Sequence, residues 1–176
     1  MLAFHQQRYI SDIFSFASLS FFGTAKRMGL KGKMIGQTEI KAGGDVFHDI
    51  IKMRPHELNK MTPQKVQRFT LLEGTLGKVG SKIFWHYNHE GKDKVAKEII
   101  EEISEEKQSI RFKVIEGDLM EIYKSFYITY HVDTNGPDSL VTWTLEYEKL
   151  KEEYPHPGTM LSWFLHMVEE IEAHHS

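Results

Sequence analysis

The clearest amphipathic pattern in this sequence lies at the end of the chain. From Thr159 to His174, apolar residues recur mostly at steps of three and four, which places them on one broad face of a helix. They are Met160, Leu161, Phe164, Leu165, Met167, Val168 and Ile171. Glu169, Glu170 and Glu172 fall largely on the other side. We predict one long helix, with Thr159 as its N-cap, that needs a large apolar partner surface.

Most of the chain before this helix alternates between apolar and other residues in steps of two, as strands with one buried face do. The predicted strands are Leu30 to Lys41, Val66 to Leu72, Ile83 to Tyr87, Ile110 to Val114, Met120 to Val132 and Val141 to Tyr147. Short turns separate successive strands at Asn88 to Gly91, Glu116 to Asp118 and Asn135 to Pro137. Hairpins joined in this way predict an antiparallel meander.

Two further stretches complete the predicted order of elements. Asp45 to Met53 and His56 to Met61 predict two short helices that are separated by Pro55. Lys92 to Lys107 contains good helix formers, and its apolar residues fit a helix and a strand alike. We favour a strand because this stretch lies between two hairpin turns, where sheet context can override propensity. The fold class is therefore α+β, with an antiparallel sheet that curls around the C-terminal helix.

The first 28 residues differ from the rest of the chain. Ile13 to Phe22 (IFSFASLSFF) is followed by Gly23-Thr24-Ala25, which resembles a signal-peptide core with a cleavage site. Arg8 is the only lysine or arginine before the apolar run, and this run is too short to span a bilayer. We predict a leader or a poorly ordered extension over residues 1–28 and one folded domain over 29–176. A secretory signal stays open as an alternative.

Composition narrows the classes of function. Of the 176 residues, 40% are hydrophobic and 27% are charged, as in an ordinary single globular domain. The formal charge of −3 and the absence of a basic cluster argue against nucleic acid and against an anionic membrane as partners. Because the chain has no cysteine, disulfides, thiolate metal sites and a cysteine nucleophile are excluded.

Several segments resemble one known family in both order and spacing. They are Val114 to Phe126 (VIEGDLMEIYKSF), Ser139 to Lys149 (SLVTWTLEYEK), Gly80 to Trp85 (GSKIFW) and the IEAH sequence that ends at His174. The chain from about Gly29 to His174 resembles the major latex protein (MLP-like) branch of the plant Bet v 1 family, the pathogenesis-related class 10 (PR-10) proteins.

This resemblance implies the helix-grip, START-like fold. A seven-stranded antiparallel sheet would wrap the long helix, two short helices would form a V-shaped support, and a large apolar cavity would lie between sheet and helix. The family is associated with plant defence and stress responses and with the carriage of small hydrophobic ligands such as lipids, steroids, hormones or secondary metabolites. We expect a cytoplasmic monomer or weak dimer that binds such a molecule, needs no cofactor or metal, and does not insert stably into a membrane.

Position in the family and strand alternation together give a set of candidate ligand-binding residues. The inward-facing positions on the sheet are Trp85, Tyr87, Ile110, Phe112, Ile122, Lys124, Phe126, Val141, Trp143, Leu145 and Tyr147. The helix would contribute Met160, Phe164, Met167 and Val168, with Phe47, Ile50 and Leu58 near the cavity mouth. Alternation describes a packed core and a hollow one equally well, so only the resemblance favours a cavity.

Other interpretations of the same residues remain. Lys124 and Tyr147 in an apolar cavity could perform acid–base chemistry, whereas a non-catalytic lysine would extend to the cavity mouth or pair with a carboxylate. We assign no catalytic residue. A defence protein that acts through a protein partner is a third hypothesis. His86 and His89 lie where alternate residues face opposite ways, so we predict no metal site there. The glycines between Glu73 and Ser81 join strand to strand, which favours a hairpin over a phosphate site.

Overall fold

The computed structural model describes residues 8–10 and 30–175. The strands are β1 (Arg8–Ile10), β2 (Lys31–Ile40), β3 (Val66–Glu73), β4 (Lys82–His89), β5 (Lys92–Ser104), β6 (Ser109–Gly117), β7 (Tyr123–Asn135) and β8 (Asp138–Lys149). The helices are α1 (Gly44–Met53), α2 (Leu58–Met61) and α3 (Gly158–His175), with short 3-10 turns at Pro55–Glu57 and Asp118–Glu121.

The strands pair antiparallel in one sheet of order β1-β2-β8-β7-β6-β5-β4-β3. Strands β3 to β8 form the predicted meander, and β2 returns to pair with β8. The predicted seven-stranded helix-grip fold is thereby confirmed. β1, from the region predicted to precede the domain, pairs with β2 and extends the sheet to eight strands. Residues 1–7 and 11–29 lie outside the described residues, so the boundary at residue 28 stays a prediction.

The long helix α3 buries the face that its sequence predicts. All seven apolar residues named for that face are buried. The helix begins at Gly158, because the Leu161 backbone N–H donates to the Pro157 carbonyl at 3.0 Å. The prediction of Thr159 as N-cap is therefore wrong, since Thr159 is already the second helical residue. The chain enters the helix directly after Pro157.

The stretch whose apolar spacing fitted a helix and a strand alike is a strand, β5. Lys92–Ser104 pairs on one side with β4 and on the other with β6, so both backbone edges are hydrogen-bonded. This tertiary pairing overrides the helix propensity of its glutamates and lysines, as predicted. Its buried positions are Ala96, Glu98 and Ile100, which are two residues apart.

Strand β7 departs from the predicted alternation at its beginning. Met120 belongs to the preceding 3-10 turn, and the strand starts only at Tyr123. Tyr123 lies opposite Lys149, and Ser125 opposite Glu148, so Lys124 is an extra residue in a β-bulge. A bulge reverses the parity on its far side, and Tyr123 therefore takes the buried position. The prediction that Lys124 faces inward is wrong.

Helix α3 packs mainly on β2 and β8. At Gly36 of β2, a side-chain Cβ would lie 2.9 Å from Leu165 Cδ1 and 3.3 Å from Leu161 Cδ1, so glycine permits a close approach of helix and sheet. Leu145 of β8 is fully buried in the same sheet. We call the region of Gly36, Leu145, Leu161 and Leu165 the packed half.

Candidate functional site

A cavity lies between α3 and the part of the sheet that is remote from the packed half. Its lining comes from all three helices, from the Asp118–Glu121 turn and from strands β3 to β8. The lining residues are Ile51, Leu58, Val66, Trp85, Tyr87, Ala96, Glu98, Phe112, Leu119, Ile128, Trp143, Met160, Trp163, Phe164 and Met167. We call the region of these residues the cavity half. Most of the lining is apolar, as in small-molecule sites.

The cavity volume is about 60 Å³, measured as the space open to the centre of a water-sized sphere. Since one water needs roughly 10–15 Å³ by this measure, the space holds only a few waters. Sites for drug-sized ligands are larger, roughly 300–1,000 Å³. The interior therefore contains a small empty space, and a ligand larger than a few water molecules has to displace the side chains that line it.

The structure brings eight of the predicted site residues together at the cavity. These are Leu58, Trp85, Tyr87, Phe112, Trp143, Met160, Phe164 and Met167. Phe47, Ile50 and Val168 line a separate space of about 10 Å³ beneath α1. A third group is buried in the core but does not line the cavity: Ile110, Phe126, Val141, Leu145 and Tyr147. Ile122 is half-buried against the core.

The predicted mouth of the cavity is in the wrong place. Phe47 is 2% exposed and Ile50 and Leu58 are each 1% exposed, so these residues are sealed from solvent. The half-buried lining residues are Trp85, Leu119 and Trp163. Among the lining residues, these three side chains are the most exposed to solvent.

Lys124 lies on the outside of the sheet. Its side chain is 67% exposed, and its Nζ is 3.6 Å from Glu148 Oε1. An exposed pair of this kind contributes little to stability. Because the lysine is absent from the cavity, the acid–base interpretation loses the first of the two residues on which it was based.

The second residue of that interpretation, Tyr147, is also directed elsewhere. Its hydroxyl lies 2.5 Å from His156 Nδ1, in the segment between β8 and α3. The neighbouring Tyr123 donates its hydroxyl to the Pro155 carbonyl at 2.8 Å. These two tyrosines anchor the connection to α3 and leave Tyr87 as the only predicted polar side chain that lines the cavity.

The most informative residue that sequence reasoning missed is Glu98. It is 5% exposed, and its Oε2 accepts a hydrogen bond from Trp85 Nε1 at 3.0 Å. Burial raises the pKa of the Glu98 carboxyl to about 7, although the hydrogen bond from Trp85 acts in the opposite direction. Glu98 lies in a run of charged residues, so its burial is not obvious from the sequence. Alternation counted back from Ile100 nevertheless places Glu98 and Ala96 on the same face of the strand as Ile100.

Tyr87 lies near this carboxyl. Burial raises the pKa of the Tyr87 hydroxyl well above its ordinary value, and the negative charges of Asp118 and Glu98 add to that rise. The Tyr87 ring meets the ring of Trp163 edge to face, with centroids 5.7 Å apart. Trp163 in turn donates its Nε1–H to the Asn88 carbonyl at 2.7 Å. The polar side of the cavity is therefore built from neutral and acidic groups.

An aromatic wall closes the side of the cavity that faces the packed half. The rings of Trp143 and Phe164 stack with centroids 4.4 Å apart. Trp143 is 2% exposed, and among the described residues its Nε1 has no hydrogen-bond partner. The remaining lining residues that sequence reasoning missed are Ile51, Val66, Ala96, Leu119, Ile128 and Trp163. Trp163 lies three residues after Met160 and four before Met167, at the edge of the apolar stripe of α3, so helical periodicity did contain a signal for it.

Residues 8–10 and 30–175 contain neither a cluster of metal ligands nor a membrane-spanning helix. No group of three histidine, aspartate or glutamate side chains in this part of the chain converges to hold a metal ion. None of the helices there combines the length and apolar character that crossing a bilayer requires.

Comparison with known proteins gives one consistent family. The description of the matching family is "Pathogenesis-related protein Bet v 1 family", and the match covers residues 29–175. MLP-like protein 31 from Arabidopsis thaliana is 48% identical over 147 residues, which cover 82% of this chain and 86% of that protein. For MLP-like protein 28 from the same plant, an alignment at 47% identity covers 82% of this chain but only 44% of that longer protein.

The crystal structure of major latex-like protein 151 from Panax ginseng has the same fold. It is 48% identical, its TM-score is 0.81, and the match covers 84% of this chain and 99% of that one.

Proposed function

We propose that this chain, which belongs to the Bet v 1 family and to its major latex protein branch, binds a small apolar molecule in the cavity half. The family is generally ligand-binding. The observation that carries the proposal is a partly empty space enclosed by apolar side chains from the sheet and from all three helices. Transfer of apolar surface from water into this space supplies the affinity.

The small volume of the cavity shapes how a ligand binds. A ligand larger than a few waters has to move lining side chains, and such rotamer changes are common on binding. Trp85, Leu119 and Trp163 are the lining residues closest to solvent. We expect these three to move first. In this proposal the protein is a carrier or sensor in plant defence or stress, located in the cytoplasm as a monomer or weak dimer.

The experiment is a fluorescence titration with N-phenyl-1-naphthylamine, an uncharged dye that brightens in apolar surroundings. Ala96 is 3% exposed and lines the cavity, so Ala96→Leu fills the space directly. The matched control is Ala173→Leu on the exposed side of α3. We expect saturable one-to-one binding by the parent protein and the control, and at least about tenfold weaker binding by Ala96→Leu.

The proposal fails if the folded parent protein shows no saturable binding, or if both variants bind the dye equally well. A cooperative thermal transition in each sample establishes that it is folded.

A further inference from the structure

The cavity contains one carboxyl in an otherwise apolar lining. Among its fifteen lining residues, Glu98 is the only acid, and none is a lysine, arginine or histidine. Within residues 30–175, no cation pairs with Glu98, and the Trp85 indole is its one hydrogen-bond donor. Burial of a carboxylate without a cation is costly, because the lost hydration is not replaced.

The hydrogen bonding of this carboxyl is incomplete. Trp85 Nε1 donates to Oε2, and Oε1 forms no hydrogen bond with any described residue. An ionised carboxylate can accept several hydrogen bonds at its two oxygens. A ligand that brings a donor with positive charge would complete this site, and a charge-assisted hydrogen bond is about twice as strong as a neutral one.

We propose that Glu98 selects ligands by charge, so that the cavity favours an apolar molecule with one protonated amine and disfavours the matching carboxylate. The inference rests on the proposed function, because it names the chemical class of the ligand for the same cavity. The amine lies against Glu98 Oε1, and the apolar body of the ligand fills the space beside Phe112 and Phe164.

The charges around Glu98 support a preference for a cationic ligand over an anionic one. The negative charges of Asp118 and Glu98 both act on Tyr87, but Asp118 is outside the lining and its Oδ1 lies 3.8 Å from Lys94 Nζ. A ligand carboxylate in the cavity would therefore meet the charge of Glu98 and no basic side chain from the lining. Like charges brought together at a binding site oppose association.

The experiment compares three 1-substituted naphthalenes of similar size: 1-naphthylmethylamine, 1-methylnaphthalene and 1-naphthoate. Their affinities are measured by titration of the ¹⁵N-labelled full-length protein, followed through its backbone amide signals at about pH 8, where Glu98 is mostly ionised. We expect the amine to bind at least about tenfold more tightly than 1-methylnaphthalene, and 1-naphthoate at least about tenfold more weakly.

Two matched variants test whether Glu98 causes the preference. Glu98→Gln keeps the shape of the side chain and removes its charge, whereas Glu102→Gln removes an exposed charge from the same strand. We expect the three affinities to fall within about threefold of one another in Glu98→Gln. The parent order should persist in Glu102→Gln, because this side chain is outside the cavity.

The outcomes separate the two proposals. If 1-methylnaphthalene binds but the amine binds no better, or if Glu98→Gln keeps the preference, the inference about Glu98 is wrong and the carrier function stands. If none of the three compounds shifts signals of cavity-lining residues, the proposed function is overturned, and the inference falls with it.

Discussion

The packed half and the cavity half share α3 and β8 but differ in how closely helix and sheet approach. In the packed half, Gly36 lacks a side chain and Leu165 fills the space above it. In the cavity half, bulky aromatic side chains such as Trp85 and Trp143 hold open a space of about 60 Å³. Because α3 packs on β2 and β8, it does not fully cover the opposite part of the sheet, and a cavity remains there.

The largest expected effect comes from a matched pair of leucines, one in each half. Leu165 and Leu58 are each 1% exposed. We expect Leu165→Ala to lower the free energy of unfolding by about 4 kcal/mol and Leu58→Ala by about 2 kcal/mol, because Leu58 already lacks packing partners on its cavity side. Urea unfolding measures both values. Equal losses would show that the two halves are packed equally well.

The second prediction concerns the pH dependence that Glu98 adds to stability. Its pKa is about 7 in the fold and about 4.5 in the unfolded chain, so the folded state holds the proton more tightly. The stabilisation of the folded state by this tighter proton binding is complete below about pH 4.5. It is lost as the pH rises to about 7, and the total loss in the free energy of unfolding is about 3 kcal/mol.

Urea unfolding of the parent protein and of Glu98→Gln across this range checks the prediction. The stability of the variant relative to the parent should increase with pH and level off above about pH 7. Tyr87, the titratable neighbour in the cavity, does not ionise in this range, because its pKa is raised. A constant difference between the two proteins would mean that Glu98 is not buried as described.

A third, smaller effect tests the close approach in the packed half. Gly36→Ala would place its Cβ 2.9 Å from Leu165 Cδ1, so we expect a loss of about 1–2 kcal/mol from overpacking. Gly158→Ala is the control, because its Cβ would meet only Met34 Cε at 3.7 Å, an ordinary contact. Thermal unfolding of both variants provides the measurement, and a neutral Gly36→Ala would contradict the packing described.

The smallest effect is expected outside both halves. Lys124 is exposed, and among the described residues its one ion-pair partner is Glu148. Lys124→Ala should change the free energy of unfolding by less than about 1 kcal/mol and leave the affinity for N-phenyl-1-naphthylamine unchanged. A clear loss of dye binding in the same fluorescence titration would indicate that Lys124 contacts the ligand. That result would support the acid–base interpretation.

Much of the fold could be predicted from the sequence because it depends on local pattern. The period of the apolar residues identified α3 and the meander, and turn residues located the hairpins. The family resemblance added the seven-stranded helix-grip arrangement and the expectation of a cavity between sheet and helix. The errors occurred at irregular backbone, since the bulge at Lys124 shifts parity by one residue and alternation contains no signal for it.

The candidate site was predicted only in part, for a related physical reason. Alternation identified inward positions such as Phe126 and Trp143 alike, yet only Trp143 lines the cavity. Whether an inward residue packs or borders empty space depends on what lies opposite it. Trp163 was missed although its spacing from Met160 and Met167 places it at the edge of the apolar stripe of α3. Glu98 was missed because it is a charged residue in a charged run.

The sequence by itself determined the order of elements, the buried face of α3 and membership of the family, because these follow from short-range periodicity and recognisable segments. Only the tertiary structure decided where helix and sheet meet and where they separate. That decision rests on contacts between residues more than 100 positions apart, such as Gly36 with Leu165. The same long-range packing placed the carboxyl of Glu98 beside the indole of Trp85, in a space where a charge changes its chemistry.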